Sequence, residues 1–314
     1  MTDLHGRTIE YLRVSVTDLC DLRCRYCMPV EGVCKKSHDD MLTEDELIRA
    51  MEAAAELGIK KIRLTGGEPL VKKNILSICR RAANIPGIRE LCMTTNGTLL
   101  APVAKELREA GVQRLNISLD TLNAEKYAAM TRTGNLRDAL AGLEAALEAG
   151  FDRVKINAVL IGGFNDDEIE DLAQLTVKYP VDVRFIELMP MTEGFTLGHY
   201  LPCGAVLKQL PQLTPDGMEG VARLYRLPNA QGRVGLITPV SDHFCARCDR
   251  LRLTADGKVK PCLHSREEFS LKGLDKAGMT DVFKKALSAK PLWHGELDEC
   301  HPSRAGRSMN RIGG

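Results

Sequence analysis

The chain has 314 residues, enough for one large domain or two ordinary ones at about 150 residues each. Its 43 Lys and Arg against 42 Asp and Glu leave a formal charge of +1, so there is no bulk basic field for DNA or RNA and any anion site must be a local cluster. Apolar residues make up 44% and charged residues 27%, which excludes a disordered chain, and no apolar run approaches the roughly 18 residues that span a bilayer.

The first 30 residues carry Asp3, Arg7, Glu10, Arg13 and Asp18 where a signal peptide is apolar. The cysteines number eleven, an odd count, and a cytoplasmic, reducing location with thiolate ligands is expected rather than a disulfide framework. Strand patterns rich in Val, Ile and Leu are predicted at Tyr11–Val16, Lys61–Thr65, Ile88–Met93, Arg114–Leu119, Val154–Ile161 and Asp182–Leu188. Helical patterns lie between them at Thr43–Leu57, Asn74–Ala83, Ala101–Ala110, Arg137–Ala149 and Asp166–Lys178. Thr43 with Glu46 forms a capping box, and Gly58, Gly111 and Gly150 stand at expected helix ends. Strands start about 26 to 50 residues apart, the spacing of βα units with a parallel sheet. Six such units predict an α/β fold, an incomplete (β/α)6 barrel of the TIM type, over residues 1–195. Beyond it, short strands at Leu224–Pro228, Arg233–Thr238, Arg250–Thr254 and Lys258–Leu263 predict a C-terminal β-containing extension, residues 196–314, closing the open side. Arg304–Gly314 is small and polar and reads as a tail.

Cys20-x3-Cys24-x2-Cys27 follows the first strand, at the end where barrel enzymes place their chemistry. Three thiolates in eight residues can wrap one small metal centre. Zinc ordinarily takes a fourth protein ligand, whereas a 4Fe–4S cluster held by three cysteines keeps one iron open. This spacing, with Tyr26 before the last cysteine, resembles the signature of the radical S-adenosylmethionine (SAM) enzymes. The resemblance implies that SAM chelates the open iron through its amino and carboxylate groups, and that an electron from the cluster releases a 5′-deoxyadenosyl radical. Thr65-Gly66-Gly67-Glu68-Pro69 ends the second strand and matches the same family; two adjacent glycines let the backbone approach a ligand closely.

Cys245-x2-Cys248-x13-Cys262 is a second set in the extension. Taken alone it fits structural zinc, with His243, His264 or Cys300 as fourth ligand, as well as a second cluster with one open iron. Its surroundings, Phe244-Cys245, Arg250-Leu251-Arg252-Leu253-Thr254, Pro261-Cys262-Leu263 and the Gly313-Gly314 pair, resemble the GTP 3′,8-cyclase family of molybdenum cofactor biosynthesis. That resemblance runs from Arg13 to Gly314.

It implies two 4Fe–4S clusters facing one cavity, with the radical taking hydrogen from ribose C3′ of GTP and the C3′ radical attacking C8 of guanine. The product would be (8S)-3′,8-cyclo-7,8-dihydroguanosine 5′-triphosphate, passed on to the cyclic pyranopterin monophosphate synthase. A low-potential electron donor, and a monomer or homodimer without nucleic-acid or membrane partners, are also implied. By the family pattern Arg13, Arg63, Thr94, Lys155, Arg250, Leu251 and Arg252 match GTP positions, and Tyr26, Gly67, Ser118 and Met189 match SAM positions. Gly313 and Gly314 match a tail that reaches the active-site cavity.

No GxxxxGK[ST] pattern occurs, so a P-loop GTPase is excluded and a triphosphate must be met by side chains. Arg63, Lys155 and Arg184 inside apolar strands suit that task, because an unpaired buried cation is costly. Asp120, at the end of the fourth strand, receives no role from sequence, and Leu19 and Asp21 stand where relatives often carry Arg and Asn. Cys34, Cys79, Cys92, Cys203 and Cys300 are expected to be free structural thiols. Two other readings compete: a radical SAM enzyme acting on a peptide with an auxiliary cluster, and a non-catalytic iron–sulfur or zinc protein. The first ordinarily brings more cysteines in its extension. The second leaves Thr65–Pro69 and the strand-borne cations unexplained.

Overall fold

A computed structural model describes residues 1–33, 37, 40–191, 199–298 and 301–313. Six strands alternate with helices: β1 (Tyr11–Ser15), α1 (Glu44–Glu56), β2 (Lys61–Thr65), α2 (Ile75–Ala83), β3 (Glu90–Thr95), α3 (Ala104–Glu109), β4 (Arg114–Ser118), α4 (Ala124–Thr131), α5 (Leu136–Glu148), β5 (Arg153–Leu160), α6 (Ile169–Lys178) and β6 (Val181–Glu187). The capping box at α1 is formed, with Glu46 N–H donating to Thr43 Oγ1 at 3.3 Å and Thr43 N–H donating to Glu46 Oε2 at 2.9 Å. α4 escapes the sequence pattern; it is a short helix capped by Asn123, whose side chain accepts from the N–H groups of Glu125 and Lys126.

After β6 come α7 (Gly204–Gln209), β7 (Thr214–Glu219), β8 (Ala222–Arg226), β9 (Val234–Ile237), β10 (Arg250–Leu253), β11 (Lys258–Lys260), β12 (Phe269–Ser270) and α8 (Lys276–Ser288). These strands make no sheet of their own. The sheet order is β12-β11-β10-β1-β2-β3-β4-β5-β6-β9-β8-β7, with β10 parallel to β1 and β9 parallel to β6. The extension therefore lengthens the barrel sheet at both edges. It is also more helical than expected: Asp275 caps α8, which buries Met279, Phe283 and Ala286 and packs on α1. The expected boundary at 195/196 lies outside the described residues.

Register decides what faces the barrel interior, since paired residues of neighbouring strands lie on one face. One row holds Arg252, Arg13, Arg63, Cys92 and Arg114; the next holds Thr94, Asn116, Lys155 and Asp182; a third holds Ser118, Asn157, Arg184 and Gly235. The alternate positions, Leu12, Val14, Ile62, Leu64, Met93, Leu115, Ile117, Ile156 and Val183, are buried in the apolar core with the helices. Barrel interiors are ordinarily packed with branched apolar side chains. This one is lined with cations and amides.

Candidate active site

The first cysteine set occupies the loop after β1, at the carboxyl edge of the strands. The β2 end holds that loop by its backbone: Gly67 N–H donates to Thr17 O at 2.8 Å and Glu68 N–H to Leu19 O at 2.8 Å. A Cβ at Gly66 would stand 2.6 Å from Thr17 O, and one at Gly67 only 2.1 Å from Leu19 O. The close approach these glycines permit is thus to the cysteine loop itself. Glu68 then ties the same point to β3, accepting from Leu70 N–H, Thr95 Oγ1 and Asn96 N–H at 3.0, 2.8 and 2.7 Å. Burial pushes its carboxyl up to about 7 against the pull of those donors.

Gly67→Ala is expected to push the Thr17–Leu19 backbone aside, at a cost of about 1–3 kcal/mol or more, because no rotamer change relieves a backbone clash. Thermal unfolding and iron content after anaerobic reconstitution check this: the variant should melt lower and retain less iron.

Asp21 accepts from Asn96 Nδ2 at 2.8 Å and Thr98 Oγ1 at 2.6 Å, so its carboxylate is fixed beside Cys20 by the end of β3. Asp120 accepts from the Tyr26 hydroxyl and from Val159 N–H, both at 2.8 Å, and burial pushes its carboxyl up to about 6. Sequence reasoning gave Asp120 no role; two residues beyond β4, it meets Tyr26 of the cysteine loop rather than a cation. Ser118 ends β4 and Met189 follows β6 at this same edge. Burial pushes the thiols of Cys20 and Cys27 up to about 12 and raises that of Cys24, so a metal's charge is what would hold them as thiolates.

Midway down the barrel, Arg63 donates to the Tyr11 hydroxyl at 2.5 Å and to Met93 O at 3.0 Å, and its guanidinium reaches Thr94 Oγ1 at 3.5 Å. Arg13 and Arg252 donate to Gly313 O at 3.1 and 2.6 Å, and Arg252 also to Ile312 O at 3.2 Å. The segment expected to be a tail lies inside the barrel, with Ile312 1% exposed; Gly314 lies outside the described residues. Burial, then the like charges of Arg13 and Arg250, pulls Arg252 down to about 9. Lys155 is drawn down to about 7 by burial and by Arg184, and donates to Glu219 Oε1 at 2.5 Å. Glu219 also meets Arg153, Arg184 and Arg233, a pairing that sequence reasoning missed entirely. Asn116 Oδ1, Asn157 Oδ1 and Arg184 Nε are buried without a hydrogen-bond partner among the described residues. Buried polar atoms left in that state on one lined face mark the seat of a polar ligand. Arg250 reaches this interior across the rings of Tyr11 and Phe244, at 5.6 and 5.9 Å. Leu251 does not: it pairs with Leu12 on the outer face and is fully buried in the apolar core, leaving only its backbone for a ligand.

The second cysteine set sits at the opposite end of the barrel. Cys245 and Cys248 precede β10, and Cys262 follows the antiparallel β11. Arg7 donates to Cys245 O at 2.8 Å, and Lys290 lies 3.5 Å from Cys248 Sγ. Burial pushes the Cys248 thiol up, but Lys290 and Arg250 outweigh it and the net shift is downward. His243, His264, His294 and Trp293 stack beside this set, and burial with neighbouring positive groups holds His264 down at about 3. Among the described residues, the ligand atoms that come within 4.8 Å of one another as a group of three belong to the exposed Glu296, Asp298 and His301. Three thiols in one short loop, with no fourth protein ligand in the motif, suit an iron–sulfur cluster with one open iron at the first set. Cys79, Cys92 and Cys203 are buried free thiols, and Cys34 and Cys300 lie outside the described residues.

The family model described as Radical SAM superfamily matches residues 14–176, and that described as Molybdenum Cofactor Synthesis C matches residues 181–295. The chain is 46% identical to a GTP 3′,8-cyclase of Alkaliphilus oremlandii (strain OhILAs), over 100% of both chains. It is 47% identical to one of Pelotomaculum thermopropionicum (strain DSM 13744 / JCM 10971 / SI), again over 100% of both. The chain belongs to the GTP 3′,8-cyclase family. Within it, the chain is a radical SAM enzyme, and an iron–sulfur cluster and SAM are its cofactors. The fold agrees: Streptococcus suis SuiB bound to S-adenosylmethionine superposes with a TM-score of 0.63 at 15% identity, covering 89% of this chain and 65% of that one. No helix among the described residues is long and apolar enough to cross a membrane.

Proposed function

We propose that this chain converts GTP to (8S)-3′,8-cyclo-7,8-dihydroguanosine 5′-triphosphate in molybdenum cofactor biosynthesis. The observation that carries the reading is the cation-lined barrel interior between two cysteine sets, in a chain 46% identical to GTP 3′,8-cyclases over its full length. Cys20, Cys24 and Cys27 would hold one 4Fe–4S cluster and Cys245, Cys248 and Cys262 a second. With SAM bound, the first cluster would supply the electron that splits SAM into methionine and the 5′-deoxyadenosyl radical, which would take the ribose C3′ hydrogen.

The chain's own residues bind and orient. Tyr26, Gly67, Ser118 and Met189 border the carboxyl edge where SAM would lie. Arg13, Arg63, Lys155, Arg250 and Arg252, with Thr94 and the Leu251 backbone, would receive GTP. Arginine forks match paired phosphate oxygens, and a triphosphate would bring negative charge to these crowded cations. The sheet-borne cations are held on rigid strands, so they pay little ordering entropy when the nucleotide arrives. Residues 1–195 would thus carry radical generation and residues 196–314 the guanine end of the substrate, with Gly313 and Gly314 at the join. A low-potential electron donor and the cyclic pyranopterin monophosphate synthase are the proposed partners, in the cytoplasm.

The test is anaerobic incubation of reconstituted protein with GTP, SAM and a reductant, assayed for 5′-deoxyadenosine and cyclised nucleotide. Both should form, and absence of the nucleotide would overturn the reading. In the same assay Arg252→Ala should weaken GTP binding about ten- to a hundred-fold, the loss of a charge-assisted contact of about 1.5–3 kcal/mol, while SAM binding and folding hold. Unchanged GTP affinity and turnover would remove Arg252 from the nucleotide site.

A further inference from the structure

Lys290 follows α8 and is only 3% exposed. Its ammonium has three N–H groups, and three acceptors surround it: Cys248 Sγ at 3.5 Å, Arg250 O at 2.7 Å and Pro261 O at 3.0 Å. Among the described residues it makes no ion pair with a carboxylate. A buried ammonium without a counter-charge is costly, and the nearest group that can carry negative charge is the Cys248 sulfur. The two carbonyls are no less informative. One belongs to the strand start two residues after Cys248, the other to the residue before Cys262.

We propose that Lys290 is a positioning residue for the second cysteine set, clamping the Cys248–Arg250 and Pro261–Cys262 segments together and donating a charged hydrogen bond to Cys248 Sγ. The proposal rests on the reading that this set holds an iron–sulfur cluster. A cation and a hydrogen bond at a cluster sulfur favour the reduced, more negative state, so Lys290 raises the reduction potential of that cluster. The ammonium is buried and bonded to three acceptors.

The full-length chain with Cys20, Cys24 and Cys27 replaced by Ala isolates the second set. Iron content and an anaerobic redox titration followed by electron paramagnetic resonance are measured with Lys290 intact, with Lys290→Met and with Lys290→Gln. The Met variant should titrate at a more negative midpoint, and the Gln variant, which keeps donors without charge, should fall between it and the parent. If Met prevents loading, the Gln variant alone carries the test by the same downward shift. Clusters that load poorly in the variants yet titrate at the parent midpoint would overturn the proposal and leave Lys290 a packing residue. A parent that binds no iron with Lys290 intact would sink the cluster reading itself, and the proposal with it.

Discussion

A chain shortened to Ile312 is expected to fold, load iron and cleave SAM to 5′-deoxyadenosine, yet to yield about 100-fold less cyclised nucleotide or none. Gly313 is the reason. Its carbonyl accepts from both Arg13 and Arg252, the two guanidiniums that face each other across the β1–β10 pair. Its φ of +67° suits glycine, and a Cβ there would stand 2.4 Å from Thr65 Oγ1, so a larger residue would turn the Thr65 hydroxyl away from Val14 O. Without it the guanidiniums lose a fixed acceptor and turn toward other partners. A nucleotide arriving between them then meets donors that are no longer aimed, and small misplacements of a reacting centre are costly. The core stays whole because Gly313 adds no side chain to it. Liquid chromatography of the two products, with iron content and circular dichroism as controls, decides the matter. Full cyclisation by the shortened chain would show that Gly313 only fills space.

Cys24→Ala and Cys248→Ala should separate two activities. The first is expected to abolish 5′-deoxyadenosine formation outright, since it removes one of the three thiols proposed to hold the cluster beside the strand ends. The second should leave measurable SAM cleavage, uncoupled from cyclisation, because its cysteine sits at the other end of the barrel with the arginine rows between. Loss of substrate positioning without loss of radical formation predicts cyclised product down by about 100-fold while 5′-deoxyadenosine persists. A Cys248 variant that cyclises GTP at the parent rate would detach the second set from the nucleotide. A Cys24 variant that still cleaves SAM would move the radical chemistry elsewhere.

The barrel strands were readable because their outward residues are Val, Ile and Leu at alternate positions, and the cations between them stand out against that pattern. Their ends moved by one or two residues, which brings Thr94 into β3. β7 was not readable. It contains Pro215, Asp216 and Gly217, shifts register between Pro215 and Met218, and lies at the sheet edge with most of its residues exposed, so no alternation marks it. The Glu219 partner of Lys155 was lost with it. α8 did carry a signal, Asp275 as cap and Met279, Phe283 and Ala286 at helical spacing, but short strands on its N-terminal side drew attention to period two. Gly66 and Gly67 were legible as a close-approach motif; what they approach, the Thr17–Leu19 backbone, depends on tertiary structure. The contacts of Gly313 and Lys290 join segments remote in sequence, and local patterns hold no record of them.

The bond from Arg13 to Gly313 spans 300 positions. At about 5–20 residues per second of synthesis, roughly 15 to 60 s pass between the appearance of the first partner and the second. Until β10 and then Gly313 emerge, the βα units can assemble and bury their outer faces, while Arg13 of β1 stands without Arg252 beside it and without the carbonyl that both bond. The arginine pair across β1 and β10 is therefore completed after the βα units, and the cysteine loop can dock on the end of β2 before that. Order of synthesis thereby becomes order of assembly: the interior is completed by segments made after the units that enclose it.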